Sequence, residues 1–116
     1  MNPNLEKVQA LARDLRDDKE SPRKPRETLG GYALAARAVD KCRAALVGWE
    51  GEYYSNCPLD QRWHRFTGID YGDFRSFVAT GATDEHIAEW IGAHAKKRSL
   101  TEIELWNTRE GAVMIS

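Results

Sequence analysis

The apolar residues of this chain recur at helical spacing over most of its 116 positions. Across residues 5–16 they return every three or four positions, which predicts a first amphipathic helix. Residues 32–47 repeat the pattern, so a second helix is expected to follow Gly30 and Gly31 directly. The buried stripe predicted for this helix consists of Leu34, Ala38, Val39, Cys42, Ala45 and Leu46. The residues expected on its solvent side are Arg37, Asp40, Lys41 and Ala44.

Start and stop residues predict further short helices in the second half of the chain. Pro58 suits the first position of one of these helices, and Gly68 suits its end. The predicted N-caps, in chain order, are Cys57 or Asn56, then Asp70, Thr83, and either Ser99 or Thr101. Strand-like alternation is too short to make a sheet. The chain is therefore predicted to be all-α, a single compact domain over residues 1–116 with five or six short helices.

The apolar helix faces predict one hydrophobic core. Its expected members are Leu34, Ala38, Val39, Cys42, Leu46, Trp63, Phe66, Phe74, Phe77, Ile87, Trp90, Ile91 and Trp106. Residues 17–28 contain two prolines and no apolar residue, which predicts an extended surface segment within the domain. Residues 111–116 form an apolar C-terminal tail, which is expected either to dock in extended form or to lie against a second subunit of a homodimer.

Composition and charge argue against several classes of protein. Hydrophobic residues make up 41% of the chain and charged residues 30%, a balance typical of a water-soluble globule. A net charge of −1 provides no overall field that would attract nucleic acid or anionic lipid. Nucleic-acid binding by Arg23, Lys24, Arg26 and Arg37 is the weakest hypothesis, because no aromatic residues interleave with a sustained basic run. With no membrane-length apolar run and no secretory h-region, the chain is predicted to be cytoplasmic and to have no membrane partner.

The two cysteines are expected to be reduced thiols with different roles. Cys42, in the middle of an apolar stripe, is predicted to be buried and inert. Cys57 stands at a helix start, where unpaired amide hydrogens and the helix dipole favour the thiolate. His64 lies two turns along the same side, so Cys57 and His64 are candidate catalytic residues, the alternative being that Cys57 only caps and packs. The histidines and cysteines lack zinc spacing, and neither a metal nor another cofactor is expected.

The segment 51–62 concentrates polar and aromatic side chains in a turn that enters a helix. The residues predicted to bind a ligand there are Tyr53, Tyr54, Asn56, Asp60 and Arg62. The first function hypothesis is a small binding or interaction module, whose partner is a small molecule or a protein. The second is a thiol-dependent enzyme or redox protein that uses Cys57. In the structural alternative, Asp60 and Arg62 only tie the segment to the second helix.

Six motifs distinguish the middle of the chain. They are Pro-Arg-Glu-Thr-Leu-Gly-Gly-Tyr at 25–32, Asp-Lys-Cys-Arg-Ala at 40–44, Gly-Glu-Tyr at 51–53, Asn-Cys-Pro-Leu-Asp-Gln-Arg at 56–62, Phe-Thr-Gly-Ile-Asp at 66–70 and Ala-Thr-Gly-Ala-Thr-Asp at 79–84. Together these motifs resemble a bacterial family known as domain of unknown function 5069. The resemblance implies a small helical domain that usually stands alone, and it implies no activity.

Overall fold

The computed structural model describes residues 3–112 and the side chains of residues 3–110. Its elements are α1 (Pro3–Leu11), a 3-10 turn (Arg16–Asp18), β1 (Thr28–Leu29), β2 (Tyr32–Ala33), α2 (Ala35–Leu46), α3 (Pro58–Thr67), α4 (Tyr71–Val78), α5 (Asp84–His94) and α6 (Leu100–Ala112). The predicted all-α class is confirmed over this range, although one short hairpin is added to the helices. No helix in the range is long and apolar enough to cross a membrane. The predicted docking or dimer role of residues 111–116 lies outside the described side chains and stays a prediction.

Helix α1 is shorter than predicted. It ends at Leu11 instead of continuing to residue 16. Asp14 favours a turn there, because its carboxylate accepts a hydrogen bond from the backbone N–H of Arg16 at 3.1 Å. Leu15 is nevertheless buried, and its backbone N–H donates to the carbonyl oxygen of Trp49 at 2.9 Å. Leu15 is thus buried, as the apolar spacing of residues 5–16 predicts, but the prediction that it lies in a helix is wrong.

The second helix begins at Ala35 and not at Tyr32, because a short hairpin precedes it. Strands β1 and β2 pair antiparallel around the two-residue turn formed by Gly30 and Gly31. Both glycines have positive φ, 62° and 90°, which a hairpin turn of this length requires. The hairpin packs against α6, where Trp106 Nε1 donates to a backbone carbonyl oxygen of β2 at 3.0 Å. The glycine pair thus forms a hairpin turn and not the direct start of a helix.

Helix α2 is buried on nearly all sides, which contradicts the predicted solvent face. Asp40 and Lys41 are each 3% exposed and Ala44 is fully buried, although all three were predicted to face solvent. Arg37 is half-buried. The prediction failed because apolar periodicity identifies only the face that packs against apolar neighbours. In this fold the polar face also packs, against segments that supply opposite charges.

Asp40 and Arg43 connect α2 to the extended segment and to α5. Arg23 forms a two-point contact with Asp40, at 2.9 Å from Nη2 to Oδ1 and 3.0 Å from Nε to Oδ2. Arg43 Nη1 lies 2.9 Å from Asp84 Oδ1, and Arg23 Nη1 lies 2.6 Å from Asp84 Oδ2. Burial alone would raise the pKa of Asp84, but its hydrogen bonds to Arg23 and Arg43 and their charges outweigh burial and lower it. One polar network therefore holds three parts of the chain together.

The hydrophobic core contains every residue predicted for it. Those that are buried are Leu34, Ala38, Val39, Cys42, Trp63, Phe74, Ile87, Ile91 and Trp106, and those partly buried at its edge are Leu46, Phe66, Phe77 and Trp90. The Cys42 thiol is fully buried, as predicted, and burial raises its pKa to about 12. Tyr32 and Ala33 also belong to the core, because both residues of β2 are buried.

We expect Asp40→Ala to lower the free energy of unfolding by about 3 kcal/mol, because it leaves the partly buried Arg23 without its two-point partner. Chemical denaturation measures this loss. Asp73→Ala is the matched control, since Asp73 is exposed on α4, and it should change stability by no more than about 0.5 kcal/mol. Equal effects of the two substitutions would contradict a structural role for the buried carboxylate.

Candidate functional site

The segment 51–62 lies between α2 and α3, includes the first five residues of α3, and contacts α2 and α4. Ser55 Oγ lies 2.7 Å from the Tyr71 hydroxyl of α4. Lys41 of α2 contacts both Cys57 and Asp60. We call Lys41, Cys57 and Asp60 the Cys57 cluster. It brings a thiol, an ammonium group and a carboxylate together at a helix N-terminus.

Pro58 occupies the first helical position of α3 as predicted, and of the two predicted N-caps, Cys57 and Asn56, it is Cys57 that takes this place. The Cys57 side chain makes no capping hydrogen bond, so its sulfur is not committed to the α3 backbone. Instead, Lys41 Nζ donates to Cys57 Sγ at 3.1 Å. Cys57 is partly exposed, whereas the Lys41 side chain is only 4% exposed. The sulfur of Cys57 thus contacts a buried ammonium group while it remains partly open to solvent.

Asp60 balances the charge of the buried ammonium. Its carboxylate is 1% exposed, and Oδ2 lies 2.9 Å from Lys41 Nζ. Neither carboxylate oxygen has a hydrogen-bond donor among the described residues, so the contact with Lys41 is an ion pair only. The ammonium directs its N–H to the sulfur of Cys57. Asp60 therefore offsets the cost of burying Lys41 but competes with a thiolate for the same positive charge.

The side chain of His64, the predicted partner of Cys57, makes its contacts with Ile69 and with three aromatic rings. Its Nδ1 lies 2.8 Å from the carbonyl oxygen of Ile69, which makes Nδ1 the protonated nitrogen of the neutral ring. The ring packs edge to face against Trp63, Tyr71 and Phe74. Burial lowers the pKa of His64, and the hydrogen bond to Ile69 offsets only part of this effect. No hydrogen bond joins His64 to Cys57 in the part of the chain that the structure describes, and the thiol lies against Lys41.

The structure distributes the predicted binding residues over several surfaces. Tyr53 lies under the Arg37 guanidinium, 5.8 Å from ring centre to Cζ, and lines a cavity of about 390 Å³. Tyr54 is 78% exposed. The Asn56 carbonyl oxygen accepts a hydrogen bond from Gln61 Nε2 at 3.0 Å. Asp60 joins the Cys57 cluster, and Arg62 lines a separate groove between α3 and α6.

Lys41 is the residue that the sequence analysis missed. Its position opposite the apolar stripe of α2 predicted that its side chain would be exposed. In the structure Lys41 instead contacts Cys57 and Asp60, which follow the loop that separates α2 from α3. A usable signal was the polar segment 51–62 itself, which supplies an acid and a thiol directly after a helix that contains Lys41. Within residues 3–110 no group of three or more His, Cys, Asp or Glu side chains is arranged to hold a metal ion.

We expect the free energy of unfolding to fall as the pH is lowered through 6.5, the ordinary pKa of histidine. The unfolded chain binds a proton there, while buried His64 resists it, so acid favours the unfolded state. Urea denaturation across this range measures the effect, and His64→Gln should remove part of it. His86→Gln, at an exposed position of α5, is the control. An unchanged pH dependence in His64→Gln would contradict the assignment.

Comparison with known proteins identifies the family. A search of curated proteins finds no match. The family profile described as "Domain of unknown function (DUF5069)" matches residues 19–112, which include all of α2 to α6, the hairpin and the Cys57 cluster. The match covers most of the chain and agrees with the motifs from which the resemblance was drawn. The chain therefore belongs to the DUF5069 family of domains of unknown function.

Proposed function

We propose that the protein acts through Cys57 as a thiol-dependent enzyme or redox protein. The observation that carries this proposal is the 3.1 Å contact between Lys41 Nζ and Cys57 Sγ. A buried cation is held beside a partly exposed thiol, so the nucleophile is both favoured and accessible to a small substrate. The N-terminus of α3 adds the positive end of its dipole at the same place.

The reaction class that fits is attack of the thiolate on an electrophilic sulfur or carbonyl carbon. On a low-molecular-weight disulfide, a bond forms between Cys57 Sγ and one substrate sulfur, the substrate S–S bond breaks, and the second sulfur leaves as a thiolate. Cys42 does not fit the role of resolving cysteine, because it is fully buried and its pKa is raised to about 12. The mixed disulfide would therefore be resolved by an external thiol.

A reducing compartment suits this chemistry, and we place the protein in the cytoplasm. Both cysteines are free thiols. In such a compartment a pool of small thiols would supply the external reductant that a single reactive cysteine needs. The substrate that we propose is a small molecule, such as the low-molecular-weight disulfide of the reaction above.

Ligand binding by the segment 51–62 is the second candidate function. It is favoured by Tyr54, which is 78% exposed, and by Tyr53 and Arg62, which each line a cavity. These residues lie on different surfaces, whereas the Cys57 cluster joins three chemically complementary groups by direct contact. For that reason the thiol function ranks first.

We expect two variants to move the reactivity of Cys57 in opposite directions. Lys41→Met with Asp60→Leu removes the cation without leaving a buried charge unpaired, and alkylation by iodoacetamide at neutral pH should slow by about threefold or more. Asp60→Asn removes the carboxylate that competes with the sulfur for the Lys41 ammonium, so alkylation of Cys57 should become faster. Mass spectrometry of the labelled Cys57 peptide measures both rates.

Cys42 provides an internal control in the same experiment. It is fully buried, so its labelling reports loss of the native fold, and only samples with unlabelled Cys42 are compared. The Cys57→Ser variant cannot be labelled at position 57, so the labelled peptide that it lacks is the one that contains Cys57. If the double variant keeps Cys42 protected and Cys57 still reacts at the native rate, Lys41 does not activate the thiol and the proposal is wrong.

A further inference from the structure

We propose that the groove between α3 and α6 is a binding site for a small phosphate monoester. The groove encloses about 380 Å³. Its lining includes Arg62, Arg65 and Arg109, the acids Glu102 and Glu110, and Leu105. Three arginines of two different helices therefore face one concave surface. This inference is separate from the proposed thiol function.

The two acidic residues of the groove already have partners. Glu110 is 1% exposed, and one of its carboxylate oxygens pairs with Arg62 Nη2. Glu102 pairs with Arg98 at 3.0 Å and accepts a hydrogen bond from the backbone N–H of Ser99 at 3.2 Å. Glu110 thereby fixes the position of the Arg62 guanidinium, whose side chain keeps 40% of its surface exposed. An incoming anion would find this arginine already oriented.

Arg65 and Arg109 are the uncommitted charges. Both are exposed, and neither has an ion pair, hydrogen bond or ring contact with any residue that the structure describes. Two free guanidinium groups and a third that is partly exposed leave the groove with more positive than negative charge. An unoccupied cationic groove of this kind favours an oxyanion, because the guanidinium fork matches its oxygens in pairs.

A phosphate monoester fits this surface better than a carboxylate does. A phosphate monoester dianion has two negative charges and three terminal oxygens, so it can accept hydrogen bonds from all three arginines. A carboxylate has one negative charge and only two oxygens. The organic part of the ester would lie on Leu105, which is 58% exposed at the groove wall. Phe66 is not free to stack with a base, because Trp106 covers it at 4.5 Å between ring centres and the Arg98 guanidinium lies 4.4 Å from its ring centre. A small ester is therefore favoured over a single-stranded nucleic acid, which needs open aromatic faces.

Titration calorimetry with phenyl phosphate, at constant ionic strength, tests the proposal. We expect saturable binding that weakens at least about tenfold in the double variant Arg65→Gln, Arg109→Gln. Arg75→Gln is the matched control, because Arg75 is exposed on α4 and lies outside the groove, and it should leave the affinity unchanged. Inorganic phosphate should bind more weakly than phenyl phosphate, since it lacks the apolar contact with Leu105.

Three outcomes would overturn this site. They are the absence of saturable binding, an equal loss in Arg75→Gln and in the double variant, and tighter binding of benzoate than of phenyl phosphate. The first would show that the groove does not bind the ester, the second that the arginines act only through the general charge of the surface, and the third would assign the groove to carboxylates. Arg65 and Arg109 do not belong to the Cys57 cluster, so we expect their substitution to leave the alkylation of Cys57 unchanged, and failure of the groove proposal and failure of the thiol proposal are distinguishable.

Discussion

The burial of charged residues on α2 is the constraint on which the rest of the fold depends. A buried charge without a partner costs several kcal/mol, so each charge on this helix must meet a complementary group. Asp40 meets Arg23, Lys41 meets Asp60, and Arg43 meets Asp84. These partners belong to the extended segment, to α3 and to α5. Helix α2 therefore fixes the positions of three other parts of the chain through charge as well as through apolar packing.

The local features of the fold were predictable because their causes are local. Pro58 at the first helical position, Cys57 before it and Asp70 and Thr83 as N-caps are all determined within one helical turn. The core residues were also recognised, because apolar periodicity reports directly on burial. The hairpin was missed, since two residues per strand are too few to show alternation.

The polar interior was not predictable, because its partners lie far apart in the sequence. Asp40 is 17 residues from Arg23, Arg43 is 41 residues from Asp84, and Arg62 is 48 residues from Glu110. No helical or strand periodicity joins residues this far apart, so Arg37, Asp40 and Lys41 of α2 were assigned to solvent. The candidate site was affected in the same way. The thiol and its helix N-terminus were recognised, whereas the ammonium group beside the thiol was not.

Lys41 links the stability of the fold to the chemistry of the site, because it pairs with Asp60 and donates to Cys57. A double-mutant cycle with Lys41→Met and Asp60→Leu, read out as the free energy of unfolding, tests this role most directly. We expect each single substitution to cost about 3 kcal/mol or more, since it leaves one buried charge unpaired, and the double substitution to cost much less than the sum. Single costs that simply add in the double variant would show that the two charges do not interact, and would contradict the account.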